Sequence, residues 1–121
     1  MKAMSQRQER MAEVVRQAVA RALVDGSVPL MFDADVQTAR LTVSDVWISA
    51  DLRVAKCFVS GAGAAVDEVI LGLNASAKGF RKVLAARLAN KYIPTVRFLA
   101  DKQGEQALDA FAAVRAQEAE A

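Results

Sequence analysis

LNASAKGFRKVLAARLANKYIP, residues 73–94, decides how this chain is read. Phe80, Leu84 and Leu88 recur four residues apart, a spacing that stacks side chains on one side of a helix. Ser76 and Gly79 interrupt the start of that pattern. The stretch therefore predicts two consecutive helices, one over about 65–76 and one from 77 or 78 to 91. They meet at a joint of small residues, Ser76 or Ala77, and Pro94 closes the region. No acid occurs between Glu68 and Asp101, while Lys78, Arg81, Lys82, Arg87, Lys91 and Arg97 fall in that gap.

That concentration of charge is local. The 121 residues carry a net charge of +2. Residues 1–52 are net −1, residues 53–102 net +6 and residues 103–121 net −3. A local positive field attracts phosphate even on a nearly neutral molecule. Lys78, Arg81 and Lys82 stand at i, i+3 and i+4 and share one side of a helical turn, where like charges repel by a few tenths of a kcal/mol per pair. Arg87 and Lys91 share another side. A solvated helix face usually mixes signs; this one does not, which points to phosphate contact. Ser76 at the joint has two readings, a phosphate ligand or an N-cap that satisfies backbone groups freed by the kink. Lys56 and Arg97 either lie on an open sheet face or edge it.

Upstream, Ser5 and Gln8 have the spacing of a capping box and start a first helix. Met4, Met11, Val14, Val15, Ala18 and Ala22 give it an apolar stripe, and Gly26 with Pro29 stops it. Residues 25–39 form a connection in which Leu30, Met31 and Phe32 are apolar enough to fold back on the core. Residues 41–48 and 53–60 are rich in β-branched and aromatic types and read as strands joined by a short turn at Ser49–Asp51. Ala55, Cys57 and Val59 alternate against Val54, Lys56 and Phe58. Trp47 and Phe58 have two readings, stacking on bases or packing in the core, and as strand aromatics of a small domain they are assigned to the core; Cys57 is assigned to it as a small hydrophobe. Residues 95–101 form a third strand and about 104–117 a last helix, with a frayed tail at 118–121.

The order is helix, strand, strand, helix, helix, strand, helix. It predicts one α+β domain over residues 1–121, with helices covering one face of a three-stranded sheet. The lone cysteine rules out an intrachain disulfide, and with no histidine present a zinc cluster or a Cys–His nucleophile is excluded. No phosphate-binding glycine loop is present. Asp33 and Asp35 form the one imaginable carboxylate pair and read as solvated loop residues. No enzyme activity, cofactor or metal is expected. No apolar run suits a signal peptide or a membrane span, so a soluble cytoplasmic protein is expected.

Two consecutive helices on a three-stranded sheet with a basic interruption resemble the KH fold, whose GxxG loop clamps nucleic acid. Here the joint reads Asn74-Ala75-Ser76-Ala77-Lys78-Gly79, with no GxxG. That substitution resembles ribosome-binding factor A, a bacterial small-subunit assembly factor. VSDVWISADLRVAKCFVS (43–60) is similar to that family's valine-rich strand, Ser-x-Asp-Leu turn and Ala-Lys strand. GLNASAKGFRKVLAARL (72–88) is similar to its kinked helix pair, and KYIPTVRFLAD (91–101) to its Pro-x-x-x-Phe strand. The likeness covers about residues 5–110. It departs after the first helix, where GSVPLMFDADVQTA replaces an Asp-Pro-Arg type stretch.

The resemblance implies a type II KH-like fold, order α-β-β-α-α-β-α, with the GxxG replaced by a small-residue kink. It implies a non-catalytic factor that binds the small ribosomal subunit and its rRNA during late maturation of the rRNA 5′ end. Its importance would be greatest in the cold, and a GTPase would aid its release. Such a factor is expected to be a cytoplasmic monomer, with Ser76, Lys78, Arg81, Lys82, Arg87 and Lys91 contacting RNA. The competing expectation is a protein-interaction module whose basic helix meets an acidic protein.

Overall fold

Ser5 starts the first helix, α1, Gln6–Asp25. Its hydroxyl accepts the Gln8 N–H while the Gln8 side chain accepts the Ser5 N–H at 2.7 Å, closing the capping box that the spacing predicts. Gln8 also donates from Nε2 to the Ile48 carbonyl at 2.7 Å, which ties the helix start to the end of the first strand. Met11, Ala12, Val15, Ala18, Val19, Ala22 and Leu23 form the buried stripe. Gly26, in the left-handed region, returns its N–H to the Ala22 carbonyl and ends the helix.

The coordinates are a computed structural model that describes residues 4–30, 40–88 and 92–101 of the 121-residue chain. The further elements are β1 (Thr42–Ile48), β2 (Val54–Ser60), α2 (Val66–Ala75), α3 (Ala77–Arg87) and β3 (Thr95–Ala100), with a short 3-10 turn at Gly63–Ala65 leading into α2. The expected helix over 104–117, the tail, and part of the 25–39 connection, with Asp33 and Asp35, lie outside the described residues.

The sheet order is β1-β2-β3, with β1 antiparallel to β2 and β2 parallel to β3. Antiparallel β1 and β2 need only the Ser49–Arg53 turn. Parallel β3 needs a crossover, and α2 and α3 supply it. Val43, Val46, Ile48, Ala55, Cys57, Val59, Val96 and Phe98 point to one face and are buried under the helices. The alternation expected for β2 is thus borne out. On the helical side Val69, Leu73, Phe80 and Leu84 are fully enclosed. Phe80 meets Phe98 edge to face, centroids 4.8 Å apart, a contact that locks α3 to β3. This is the type II KH-like α+β arrangement, with the helices on one face of the sheet.

Two expectations require correction. Trp47 and Phe58 are half-buried residues on the face turned away from the core, not members of it. A β-bulge between Val43 and Asp45 shifts the phase of β1, so Val46 and Ile48 point inward and Trp47 outward. The helix expected to reach residue 91 ends at Arg87, because Leu88 is already extended, at φ −93 and ψ 110. From there the chain returns to the sheet, where Pro94 is buried and the Thr95 N–H bonds the Arg53 carbonyl at 2.8 Å.

Candidate nucleic-acid interface

Ser76 is the joint between α2 and α3. Its N–H still reaches the Gly72 and Leu73 carbonyls, and its carbonyl accepts the Gly79 N–H at 3.0 Å, so the two helices are joined by a single residue. The N-cap role is not realised: no side-chain cap bond is present. Instead the Ser76 hydroxyl donates to the Pro29 carbonyl at 3.1 Å, holding the elbow to the segment that follows α1. Gly79 serves the same docking. A Cβ there would come within 2.7 Å of a Val28 methyl, so only glycine lets the buried Val28 sit against α3. Gly79 lies inside α3 rather than breaking it.

A second tether holds the elbow to the sheet. Asn74, in the last turn of α2, donates Nδ2–H to the Phe98 carbonyl at 3.0 Å and accepts the Phe98 N–H at 2.8 Å. One amide side chain thereby satisfies both polar groups of Phe98 on the outer edge of β3. Sequence reasoning passed over Asn74, because its partner lies 24 residues away and no local pattern marks it.

On this fixed frame Lys78, Arg81 and Lys82 emerge exposed from the first turns of α3. Arg87 is exposed in its last turn. Arg81 donates weakly to the Ile93 carbonyl at 3.5 Å. Among the described residues the one ion pair is Arg16 with Glu13, on α1, so none of the elbow cations is neutralised by a described carboxylate. α2 has Asp67 and Glu68 in its first turn, but α3 has no acid there. Placing cations at a helix N-terminus opposes the helix dipole. The structure thus brings Lys78, Arg81 and Lys82 together with Ser76, whose donor is engaged internally. Arg87 lies further along α3, and Lys91 falls outside the described residues.

Elsewhere the polar chemistry is turned inward. In the Ser49–Arg53 turn, the Ser49 hydroxyl donates to Asp51 at 2.6 Å and accepts the Arg53 and Val54 N–H groups. That hydroxyl, followed by the Arg53 N–H, holds the Asp51 carboxyl below its ordinary range. Cys57 is buried, and burial pushes its thiol up to about 12, so it packs as an un-ionised hydrophobe. The described residues contain no cluster of potential metal ligands and no helix long and apolar enough to cross a membrane.

The family model for ribosome-binding factor A matches residues 7–111. The chain belongs to the ribosome-binding factor A family. A ribosome-binding factor A of a Bradyrhizobium strain is 38% identical over 104 residues, which cover 85% of this chain and 73% of that protein. The Rhodospirillum rubrum protein of the same name is 40% identical over 101 residues, covering 83% of this chain and 60% of its own length. Against some of these relatives, then, the chain matches less than two thirds of a longer protein. The solution structure of a Thermotoga maritima protein assigned as ribosome-binding factor A superposes with a TM-score of 0.66 at 24% identity, covering 82% of this chain and 91% of that one. At that identity the likeness is one of fold. In this chain the Ser49-Ala50-Asp51-Leu52 turn and the Asn74-Ala75-Ser76 elbow have physical reasons. The turn's side chains serve its own backbone, and the elbow's Asn74 and Ser76 bind distant carbonyls.

Proposed function

We propose that this chain binds the small ribosomal subunit and its rRNA during late maturation of the rRNA 5′ end, as a non-catalytic assembly factor. The observation that carries the reading is the trio of exposed cations on the first turns of α3, without a described carboxylate among them. The relatives' shared name, ribosome-binding factor A, supports the same target. The work is mechanical: a rigid, positively charged elbow is held at fixed distance from the sheet and presented to a sugar–phosphate chain. Lys78, Arg81 and Lys82 contact phosphates, Arg87 and Lys91 extend the track, and Ser76 provides the narrow joint. The protein acts as a cytoplasmic monomer, one KH-like domain over residues 1–121. Its role is greatest at low temperature, and an assembly GTPase aids its departure.

The test is sedimentation from cell extract. The chain is expected to travel with small-subunit precursors at low salt and to leave them at high salt, because bound cations displace condensed counterions. Nuclease treatment should abolish the association. Association that survives nuclease and high salt would favour the acidic-protein reading and contradict this one.

A further inference from the structure

The sheet face turned away from the helices carries a second set of cations. Trp47, Lys56 and Arg97 are partners across the three strands, one from each, and form a row. All three belong to the outward alternation, since their neighbours Val46, Ile48, Ala55, Cys57, Val96 and Phe98 are buried. The Lys56 ammonium lies 4.9 Å from the centre of the Trp47 ring. Neither Lys56 nor Arg97 is in an ion pair with a described carboxylate. In the next row Phe58 is half-buried and Leu99 is 38% exposed beside it, while Asp45, exposed, holds the β1 end of that row beside Trp47 rather than beside the two cations.

This face is continuous with the elbow. A single depression is lined by Lys56, Arg97, Thr95, Leu99 and Asn74. It runs from the cation row across the outer strand β3 to the last turn of α2, two residues before Ser76. Adjacent cations in parallel register repel unless an anion lies between them, and aromatic and aliphatic groups beside them offer flat apolar surface. Cations interleaved with such surface suit a single-stranded nucleic acid, whose phosphates and base faces alternate at this scale.

We propose that a single-stranded RNA segment leaving the elbow crosses β3 and lies on this face. Its phosphates meet Lys56 and Arg97, and a base packs against the Trp47–Phe58 surface. The proposal rests on the elbow reading and adds the path the strand takes beyond it.

Trp47 is the one tryptophan of the chain, so its emission reports on this face alone. The full chain is titrated with a small-subunit rRNA transcript, which contributes no tryptophan signal. Binding should quench Trp47 emission. Lys56→Gln combined with Arg97→Gln should weaken binding about five- to tenfold and make the salt dependence shallower by about one to two in slope, with an unchanged melting temperature. Arg97→Gln alone should give a smaller change in the same direction. Lys78→Ala/Arg81→Ala/Lys82→Ala should lower affinity yet retain quenching at saturation. RNA bound with silent Trp47 emission and wild-type affinity in the Lys56→Gln/Arg97→Gln variant would overturn this proposal alone. That is also the result expected if residues 102–121 or an acidic protein occupied the face. Failure of the unaltered chain to bind the transcript would overturn the elbow reading, and this one with it.

Discussion

The Ser49–Arg53 turn and the α2–α3 elbow are both short, polar joints between regular elements, yet they dispose of their polar groups in opposite ways. In the turn every hydrogen-bonding side chain serves the local backbone. Ser49 and Asp51 together accept from Arg53 and Val54 and bond to each other. In the elbow the neutral side chains Asn74 and Ser76 reach far across the chain to Phe98 and Pro29, and the charged ones reach nothing acidic among the described residues. A joint that satisfies itself is a folding device. A joint that is braced from outside while no described carboxylate pairs with its cations is a presentation device.

The largest expected effect tests the bracing. Phe80→Ala removes the ring that packs on Phe98 and should cost about 3–5 kcal/mol, seen as a lowered urea midpoint. A small loss would mean that the elbow is not anchored through α3 at all. Next comes Gly79→Ala. The added methyl meets Val28 at 2.7 Å, so a loss of about 1–3 kcal/mol is expected despite alanine's better helix propensity. Stabilisation would show that the Val28 docking is loose. Ser49→Ala removes the acceptor of two backbone N–H groups in the turn and should cost about 1–2 kcal/mol while leaving RNA affinity untouched. Reduced affinity at unchanged stability would erase the distinction between the two joints.

The smallest effect is a pH dependence in the turn. The Asp51 carboxyl is held below its ordinary value by Ser49 and the Arg53 N–H, so the folded state favours its ionised form. Its contribution is therefore present above the unfolded pKa and lost as pH falls through the folded one. Urea midpoints of the native chain and of Asp51→Asn should differ at neutral pH and converge as pH falls below the ordinary carboxylate range. A gap that widened on acidification would give the opposite sign and remove the carboxylate from the turn's stability.

What could be read from the sequence follows the range of the interactions. The capping box of Ser5 and Gln8, the inward set Ala55, Cys57 and Val59, and the stacked pair Phe80 and Leu84 depend on neighbours within one or two turns, so spacing reveals them. The family likeness added the strand order's purpose and the small-residue kink. Three features were illegible because their partners are remote or their period is broken. Ser76 resembled an N-cap, but its partner is Pro29, 47 residues away. Asn74 carried no local signal. Trp47, as a strand aromatic, reads as core, but a bulge at Val43–Asp45 sets which residues of β1 point inward, and nothing in LTVSDVWI announces it. The cation cluster, by contrast, was plain in the sequence, since an acid-free run needs no three-dimensional information to be seen. Only the coordinates show that Lys78, Arg81 and Lys82 stay exposed and free of described carboxylates.

The central claim is that the elbow's cations lie on rRNA phosphates. Its most direct test is the salt dependence of rRNA binding for the native chain and for Lys78→Ala/Arg81→Ala/Lys82→Ala. The elbow's phosphates alone, three or four of them, should contribute about −2 to −3 to the slope of log K against log salt, so the variant's slope should be shallower than the native chain's by about 2. Identical slopes in the two folded proteins would contradict the claim.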